Sequence, residues 1–109
     1  MRDIAAEAIA FSIGRARADL DADRLLQLAL IRLVEVIGEA ATRIPPDMRA
    51  AHASLPWHQI VSARNRLIHG YDNNNLNIVW SIIQNDLPVL VLEIERILAD
   101  DKYSTSEKT

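Results

Sequence analysis

Cysteine is absent from this 109-residue chain. Its absence excludes a disulfide framework, a thiolate metal site and a thiol nucleophile. Glycine and proline are also scarce, with three and four copies, which excludes collagen-like and low-complexity chains. Half of the residues are hydrophobic, so length and composition together predict one globular domain that folds without covalent cross-links.

The chain also lacks a long hydrophobic run and an excess of positive charge. Its longest apolar stretch, residues 25–41, is interrupted by Gln27, Arg32, Glu35 and Glu39, and so does not predict a membrane span. Acidic residues stand near the N-terminus where a signal peptide would be basic, so we expect a cytoplasmic protein with no membrane partner. The formal net charge of −3 gives no general attraction for nucleic acid, and any RNA binding must be local.

Apolar residues recur at helical spacing through most of the chain, which predicts an all-α bundle of four or five helices. The pattern predicts a first helix over residues 2–18, a polar break over 19–23 and a long helix over 22–43 that ends at two prolines. A short helical turn follows over 47–53. One helix then begins near Trp57 and ends before Gly70, and another begins near Leu76.

Pro88 lies inside the last helix and predicts a kink or break between Gln84 and Pro88. From Asp100 onward the sequence is charged or hydroxylated and has no apolar period. We therefore expect one helical domain over residues 1–99 and a flexible tail over 100–109.

Most of the groups able to perform chemistry lie in one stretch, residues 63–72. On a helix Asn65 and His69 share a face and Arg64 flanks Asn65, so the three residues are candidates to meet one small anion. Arg64 offers a planar cationic fork for a phosphate. His69 stands in the last helical turn, where the helix dipole favours the imidazolium, so it can serve as a proton donor or acceptor.

The reaction that suits arginine and histidine without metal ligands is RNA cleavage by attack of the ribose 2′-oxygen on the adjacent phosphate. That reaction needs an acid and a base, whereas one copy of the stretch supplies one histidine. A two-fold symmetric homodimer would supply two histidines and two arginines to one groove. Spacing alone leaves a second interpretation open, a solvated helix end with ordinary salt bridges.

A longer set of motifs bears on the choice between an RNA-cleaving site and a solvated helix end. They run in order through almost the whole chain and closely resemble the HepT-like toxins of the HEPN superfamily. The segments are EVIGEAA at 35–41, PWHQIV at 56–61, ARNRLIHGY at 63–71, LNIVW at 76–80 and NDLP at 85–88.

The resemblance implies a HEPN-type bundle that dimerises and acts as a metal-independent endoribonuclease, the toxin of a type VII-like toxin-antitoxin pair. Its catalytic residues would be Arg64, Asn65 and His69. Its partners would be RNA, a second copy of the chain and a nucleotidyltransferase antitoxin, with no cofactor. The antitoxin would transfer AMP to Tyr71, and the added phosphate diester would occupy the RNA phosphate site beside Arg64.

Two other functions stay open on the sequence. One is a non-catalytic HEPN module that binds a nucleotide or docks the nucleotidyltransferase. In the other, Tyr71 accepts AMP, but its modification switches something other than RNA cleavage.

Several further residues allow more than one role. Arg66 is a candidate second phosphate contact, or a salt-bridge partner of Glu35 or Glu39. Leu28 and Ile31 stand among charged residues and are either incidental surface residues or part of a second contact, such as a subunit interface.

A metal site is not expected at the other two histidines. His52 and His58 are six residues apart, and no Asp or Glu stands at ligand spacing from them.

Overall fold

A computed structural model gives the fold. It describes the backbone of residues 1–69 and 73–108, and the side chains of residues 1–69 and 75–99. All regular structure in the described residues is helical. The elements are α1 Arg2–Ser12, α2 Arg17–Ala22, α3 Arg24–Thr42, α4 Pro46–Ala51, α5 Trp57–Leu67, α6 Asn73–Ser81, a π-helical turn Ile82–Asp86, and α7 Leu87–Lys108.

The predicted all-α bundle is confirmed. α6, the π-helical turn and α7 follow one another without a gap, so the described chain has four longer helical units and two helices of six residues, α2 and α4. α3 and α5 form the most extensive helix pair, while α1 packs against α3 and α7. Their buried apolar side chains make one core, whose largest fully buried members are Leu20, Leu30, Val34, Ile37, Ile60, Leu67, Val79, Ile83, Leu87 and Leu90.

The first helix is shorter than its apolar pattern predicts. α1 ends at Ser12, whose hydroxyl donates to the carbonyl of Ile9, and the chain turns at Gly14 with a φ of +75°. A left-handed backbone of this kind cannot continue an α-helix, and glycine adopts it at low cost. The prediction of one helix over residues 2–18 was therefore wrong, because it did not treat Gly14 as a stop.

The predicted polar break over 19–23 was also wrong, since most of it is helical. α2 begins after Ala16, whose N–H donates to the Asp19 carboxylate at 2.7 Å. The N–H of Leu26 donates to the Asp23 carboxylate at 3.0 Å, which caps the start of α3. These carboxylates satisfy N–H groups that the first turn of a helix leaves without partners.

The expected break before Pro88 is confirmed as a π-helical turn. The N–H of Leu87 donates to the carbonyl of Ile82, five residues back. Proline has no N–H, and its ring crowds the carbonyl four residues before it in an α-helix. The wider turn relieves that crowding, so α7 begins in a new hydrogen-bond register.

The remaining boundaries lie close to expectation. α3 and α5 match their predicted spans, and α6 starts at Asn73, three residues before the predicted Leu76. Ile31 is buried in the core and is therefore not a surface contact, whereas Leu28 is 41% exposed. The segment 100–108 has a helical backbone as part of α7, and the mobility expected of it stays a prediction. Gly70, the expected helix stop, lies outside the described residues.

Candidate functional site

Arg64 is held in the contact between α5 and α3. Its Nη2 donates to the Glu39 Oε2 at 2.7 Å, and its Nη1 donates to the Asn65 Oδ1 at 3.0 Å. The Arg64 side chain is 28% exposed, so its guanidinium lies at the surface of the bundle rather than in its core. Two partners fix the direction of the cation, and part of it stays open to solvent.

Gly38, the residue before Glu39 on α3, allows the two helices to approach closely. A Cβ at position 38 would overlap the Cβ of Arg64 and would lie 2.8 Å from the Arg64 Cγ and 3.2 Å from the carbonyl oxygen of Ile60. Glycine costs up to about 1 kcal/mol relative to alanine inside a helix. The chain accepts that cost here because the Arg64 side chain on α5 occupies the space where a side chain at position 38 would lie.

Arg64 lines a cleft of about 410 Å³ between α3 and α5. Arg32 and Arg43 add two cations to its walls, and Glu35 and Glu39 add two carboxylates. Glu39 also lies 3.5 Å from Arg43. Any anion that reaches Arg64 from this side therefore competes with a carboxylate already in place.

Asn65 and His69 are both exposed. α5 ends at Leu67, but the chain keeps a helical course past it, because Ile68 and His69 donate their N–H groups to the carbonyls of Arg64 and Arg66, at 3.2 Å each. Rotation of about 100° per residue places Asn65 and His69 on one side of this helix. The helical path of the chain through Ile68 and His69 is consistent with the prediction that Asn65 and His69 share a face.

The structure brings Arg64 and Asn65 together but directs Arg64 towards α3. Five residues separate Arg64 from His69, a rotation of about 140° on a helix. Within the described residues no hydrogen bond joins the His69 imidazole to either neighbour. One copy of the chain thus presents a cationic fork and an imidazole on different sides of α5.

Arg66 does not form the salt bridge considered for it. Arg64 takes Glu39 instead, and Arg66 lies on the other side of α5, exposed, in a second cleft of about 280 Å³ that Asp86 also lines. Burial raises the pKa of the Asp86 carboxyl above its ordinary value. The candidate role of Arg66 as a phosphate contact stays a prediction.

Two residues of the site were not predicted from the sequence. Glu39 is the ion-pair partner of Arg64, and Gly38 allows α3 to approach α5 closely. Their signal is the adjacent Gly-Glu pair within the long helix. A glycine in the middle of a helix usually has a packing reason. Arg64, which packs against Gly38 in the fold, lies 26 residues further along the chain, however, and no local pattern identifies it.

No group of three His, Asp or Glu side chains within residues 1–69 and 75–99 is placed to hold a metal ion. None of the helices in the same part of the chain is long and apolar enough to cross a membrane. Tyr71, the expected AMP acceptor, lies outside the described residues.

Comparison with known proteins agrees with the motifs. The sequence profile of the family described as "Ribonuclease HepT-like" matches residues 1–97. A protein of Caldanaerobacter subterraneus named a "Putative RNase" is 36% identical over 84 residues, which cover 77% of this chain and 75% of the relative. The "Probable ribonuclease HepT" of Thermococcus cleftensis is 34% identical over 79 residues, 72% of each chain.

A further "Putative RNase", from Methanocaldococcus jannaschii, is 40% identical over 78 residues, 72% of this chain and 64% of the relative. No solved structure gives a significant match. The profile covers most of the chain, including the α3–α5 contact and the stretch from Arg64 to His69, so the resemblance read from the sequence is confirmed. The chain belongs to the HepT-like ribonuclease family.

Proposed function

We propose that this chain is the toxin of a type VII-like toxin-antitoxin system and acts in the cytoplasm as a metal-independent endoribonuclease. The observation that carries the proposal is the fixed guanidinium of Arg64, bound to Asn65 at 3.0 Å and presented by the helix that leads to His69. A fixed cation suits a reaction in which negative charge builds on a phosphate, and the exposed imidazole of His69 suits the proton transfers of that reaction. Membership of a ribonuclease family supports RNA as the substrate.

In the proposed reaction the ribose 2′-oxygen attacks the neighbouring phosphorus, and the bond from phosphorus to the 5′-oxygen breaks. A base takes the proton of the 2′-hydroxyl, and an acid gives a proton to the leaving 5′-oxygen. The products are a 2′,3′-cyclic phosphate and a 5′-hydroxyl. His69 performs proton transfer, Arg64 binds the phosphate and stabilises the transition state, and Asn65 orients Arg64.

The site is proposed to be composite, with two copies of the chain facing each other. Arg64 and His69 lie on different sides of α5, and one chain supplies one histidine to a reaction that needs an acid and a base. A two-fold axis beside α5 would bring His69 of each copy to the same groove. Arg66 would add a further phosphate contact there.

Tyr71 is proposed as the off-switch. Its phenolic oxygen would attack the α-phosphorus of ATP on the nucleotidyltransferase antitoxin, and pyrophosphate would leave. The resulting phosphate diester stands two residues from His69 and competes with RNA for the cations of the site. Intact-mass measurement after co-expression with the nucleotidyltransferase should show a gain of one AMP or more, and Tyr71→Phe should abolish it.

If Tyr71 carries AMP while RNA cleavage is unchanged, the modification switches some other activity. A gain in mass that survives Tyr71→Phe would instead remove this residue as the acceptor.

A second candidate function is a non-catalytic module that docks the nucleotidyltransferase. The ion pair between Arg64 and Glu39 favours it, because an arginine already bound to a carboxylate is less available to RNA. This alternative predicts a stable complex with the nucleotidyltransferase and no cleavage of any RNA by the isolated chain.

The deciding experiment compares cleavage of labelled RNA by the native chain, His69→Ala and His52→Ala. His52 is a matched control, because its hydrogen bonds to other described residues are made by its backbone. Its N–H donates to the carbonyls of Met48 and Arg49, and its carbonyl accepts from the Leu55 N–H and, at 3.0 Å, from the Trp57 indole N–H. We expect His69→Ala to lose cleavage with an unchanged circular dichroism spectrum, and His52→Ala to retain it. Equal cleavage by His69→Ala would remove His69 from the reaction.

A further inference from the structure

Two clefts flank α5 and meet across its exposed side. The first, of about 590 Å³, lies between α4 and α5, and the second is the cleft of about 280 Å³ between α5 and the π-helical turn. His58, Gln59 and Ser62 line both of them. The clefts therefore form one surface, which we call the α5 groove.

The α5 groove is cationic, although the chain as a whole is acidic. Arg49 lines the first cleft, Arg66 lines the second, and His58 lies between them. Among the described residues that line the two clefts, Asp86 is the one carboxylate, so the two arginines outnumber it. With a net charge of −3 on the chain, such a surface attracts an anion locally.

Arg49 carries an unusual feature. Its Nε is buried and has no hydrogen-bond partner among the described residues. Buried donors are nearly always paired, so a small movement of the half-buried Arg49 side chain towards an acceptor in the cleft would satisfy this one. A phosphate oxygen is a suitable acceptor.

The groove also continues towards the proposed catalytic histidine. His58, Ser62 and His69 are related by helical steps that keep them within about 40° of one direction around α5. At 1.5 Å per residue, His58 and His69 stand about 16 Å apart along the axis. In the first cleft Trp57 supplies an aromatic ring fixed by the hydrogen bond of its indole N–H, a type of surface on which RNA bases stack.

We propose that the α5 groove binds the single-stranded RNA that flanks the cleaved bond, with Arg49 and Arg66 contacting phosphates on either side of His58. The inference rests on the proposed function, since it takes RNA as the substrate. It adds a binding surface on α4, α5 and the π-helical turn, distinct from the cleft that contains Arg64 and Glu39. The charge, the unpaired Arg49 Nε and the continuity with His69 all favour a nucleic-acid strand over an apolar partner.

The test uses His69→Ala protein as background, so that RNA is bound and not cut. Binding of a fluorescent single-stranded RNA is followed by anisotropy over a range of salt concentrations. Arg49→Gln should weaken binding about tenfold, the effect of one charge-assisted hydrogen bond. It should also reduce the slope of log K against log salt by about one. Arg2→Gln is the matched control, because Arg2 lines neither cleft and pairs with Asp3.

A second pair of variants guards against misfolding of Arg49→Gln. Gln59→Glu places a negative charge where the two clefts meet, and Gln84→Glu places the same charge on an exposed residue that lines neither cleft. We expect Gln59→Glu to weaken binding severalfold and Gln84→Glu to leave it unchanged. Light scattering on every variant records whether the assembly state is the same.

Three results would overturn the inference. If the background protein binds RNA and both groove variants bind as tightly as their controls, the groove is not the RNA path, while the proposed function stands. If the groove variants lose RNA only because the assembly dissociates, the groove is an interface between copies. If the background protein binds no RNA and the native chain cleaves none, the proposed function fails together with the groove.

Discussion

Alanine at position 38 should destabilise the fold, which is opposite to the usual effect of replacing a glycine inside a helix. In an exposed helix the change from glycine to alanine gains up to about 1 kcal/mol. Here the new Cβ would overlap the Cβ of Arg64 and lie 2.8 Å from its Cγ. The Arg64 Cβ is attached directly to the α5 backbone and cannot rotate away, so α3 and α5 must separate.

The magnitude follows from two opposing contributions. Forcing an extra carbon into a packed contact costs typically about 1–3 kcal/mol. Subtracting the gain in helix propensity leaves a net loss of up to about 2 kcal/mol, which corresponds to a fall in Tm of up to about 15 °C for a domain of this size. Thermal unfolding of native and Gly38→Ala protein at one concentration measures it.

A double-mutant cycle tests the cause. Arg64→Gly removes the atoms that the new Cβ would overlap, leaving the Ile60 carbonyl oxygen at 3.2 Å as its nearest remaining neighbour. In that background Gly38→Ala should be neutral or stabilising. The reasoning is refuted if Gly38→Ala raises the Tm of the native chain, or lowers it equally in both backgrounds.

Three further predictions follow from the same geometry. Glu39→Gln should lower the Tm measured by thermal unfolding by about 2–8 °C, since an ion pair this exposed contributes about 0.5–1 kcal/mol; Glu95→Gln, at an exposed position of α7, should leave the Tm unchanged. Arg64→Lys should keep the fold but lower kcat at least tenfold, because an ammonium lacks the planar fork with which a guanidinium contacts Asn65 and a phosphate together. An unchanged rate in single-turnover cleavage would argue against the role of Arg64. Because burial raises the pKa of Asp86, the folded state holds its proton to higher pH than the unfolded state, so this carboxyl reduces stability as pH rises above about 4. The free energy of unfolding of Asp86→Asn minus that of the native chain should therefore be larger at pH 7 than at pH 3.5. An equal difference at both pH values would contradict the prediction.

The sequence predicts best those parts of the fold that depend on local signals. The span of α5 was predicted because proline opens it and an apolar stripe runs along it, and the break before Pro88 follows from the missing N–H of proline. The errors over residues 2–23 have the same local origin. Gly14 stops α1 inside an apolar pattern, and Asp19 caps a helix where its charge suggested a loop.

The site is predicted in part, and the limit is sequence separation. The stretch from Arg64 to His69 is contiguous, so its residue types and spacing are visible without a structure. Glu39 meets Arg64 across 25 residues, and the close approach at Gly38 depends on how α3 crosses α5. Neither follows from the period of one helix, and the direction of Arg64 away from His69 becomes apparent only once Glu39 is in place.

Cleavage of a defined single-stranded RNA in the presence of a chelator tests the central claim most directly. The account predicts that the native chain cuts the strand and leaves a 2′,3′-cyclic phosphate. It also predicts that a single 2′-deoxy sugar at the cut position blocks the reaction, and that His69→Ala leaves the RNA intact. Cleavage of the 2′-deoxy substrate, or equal cleavage by His69→Ala, would contradict the account.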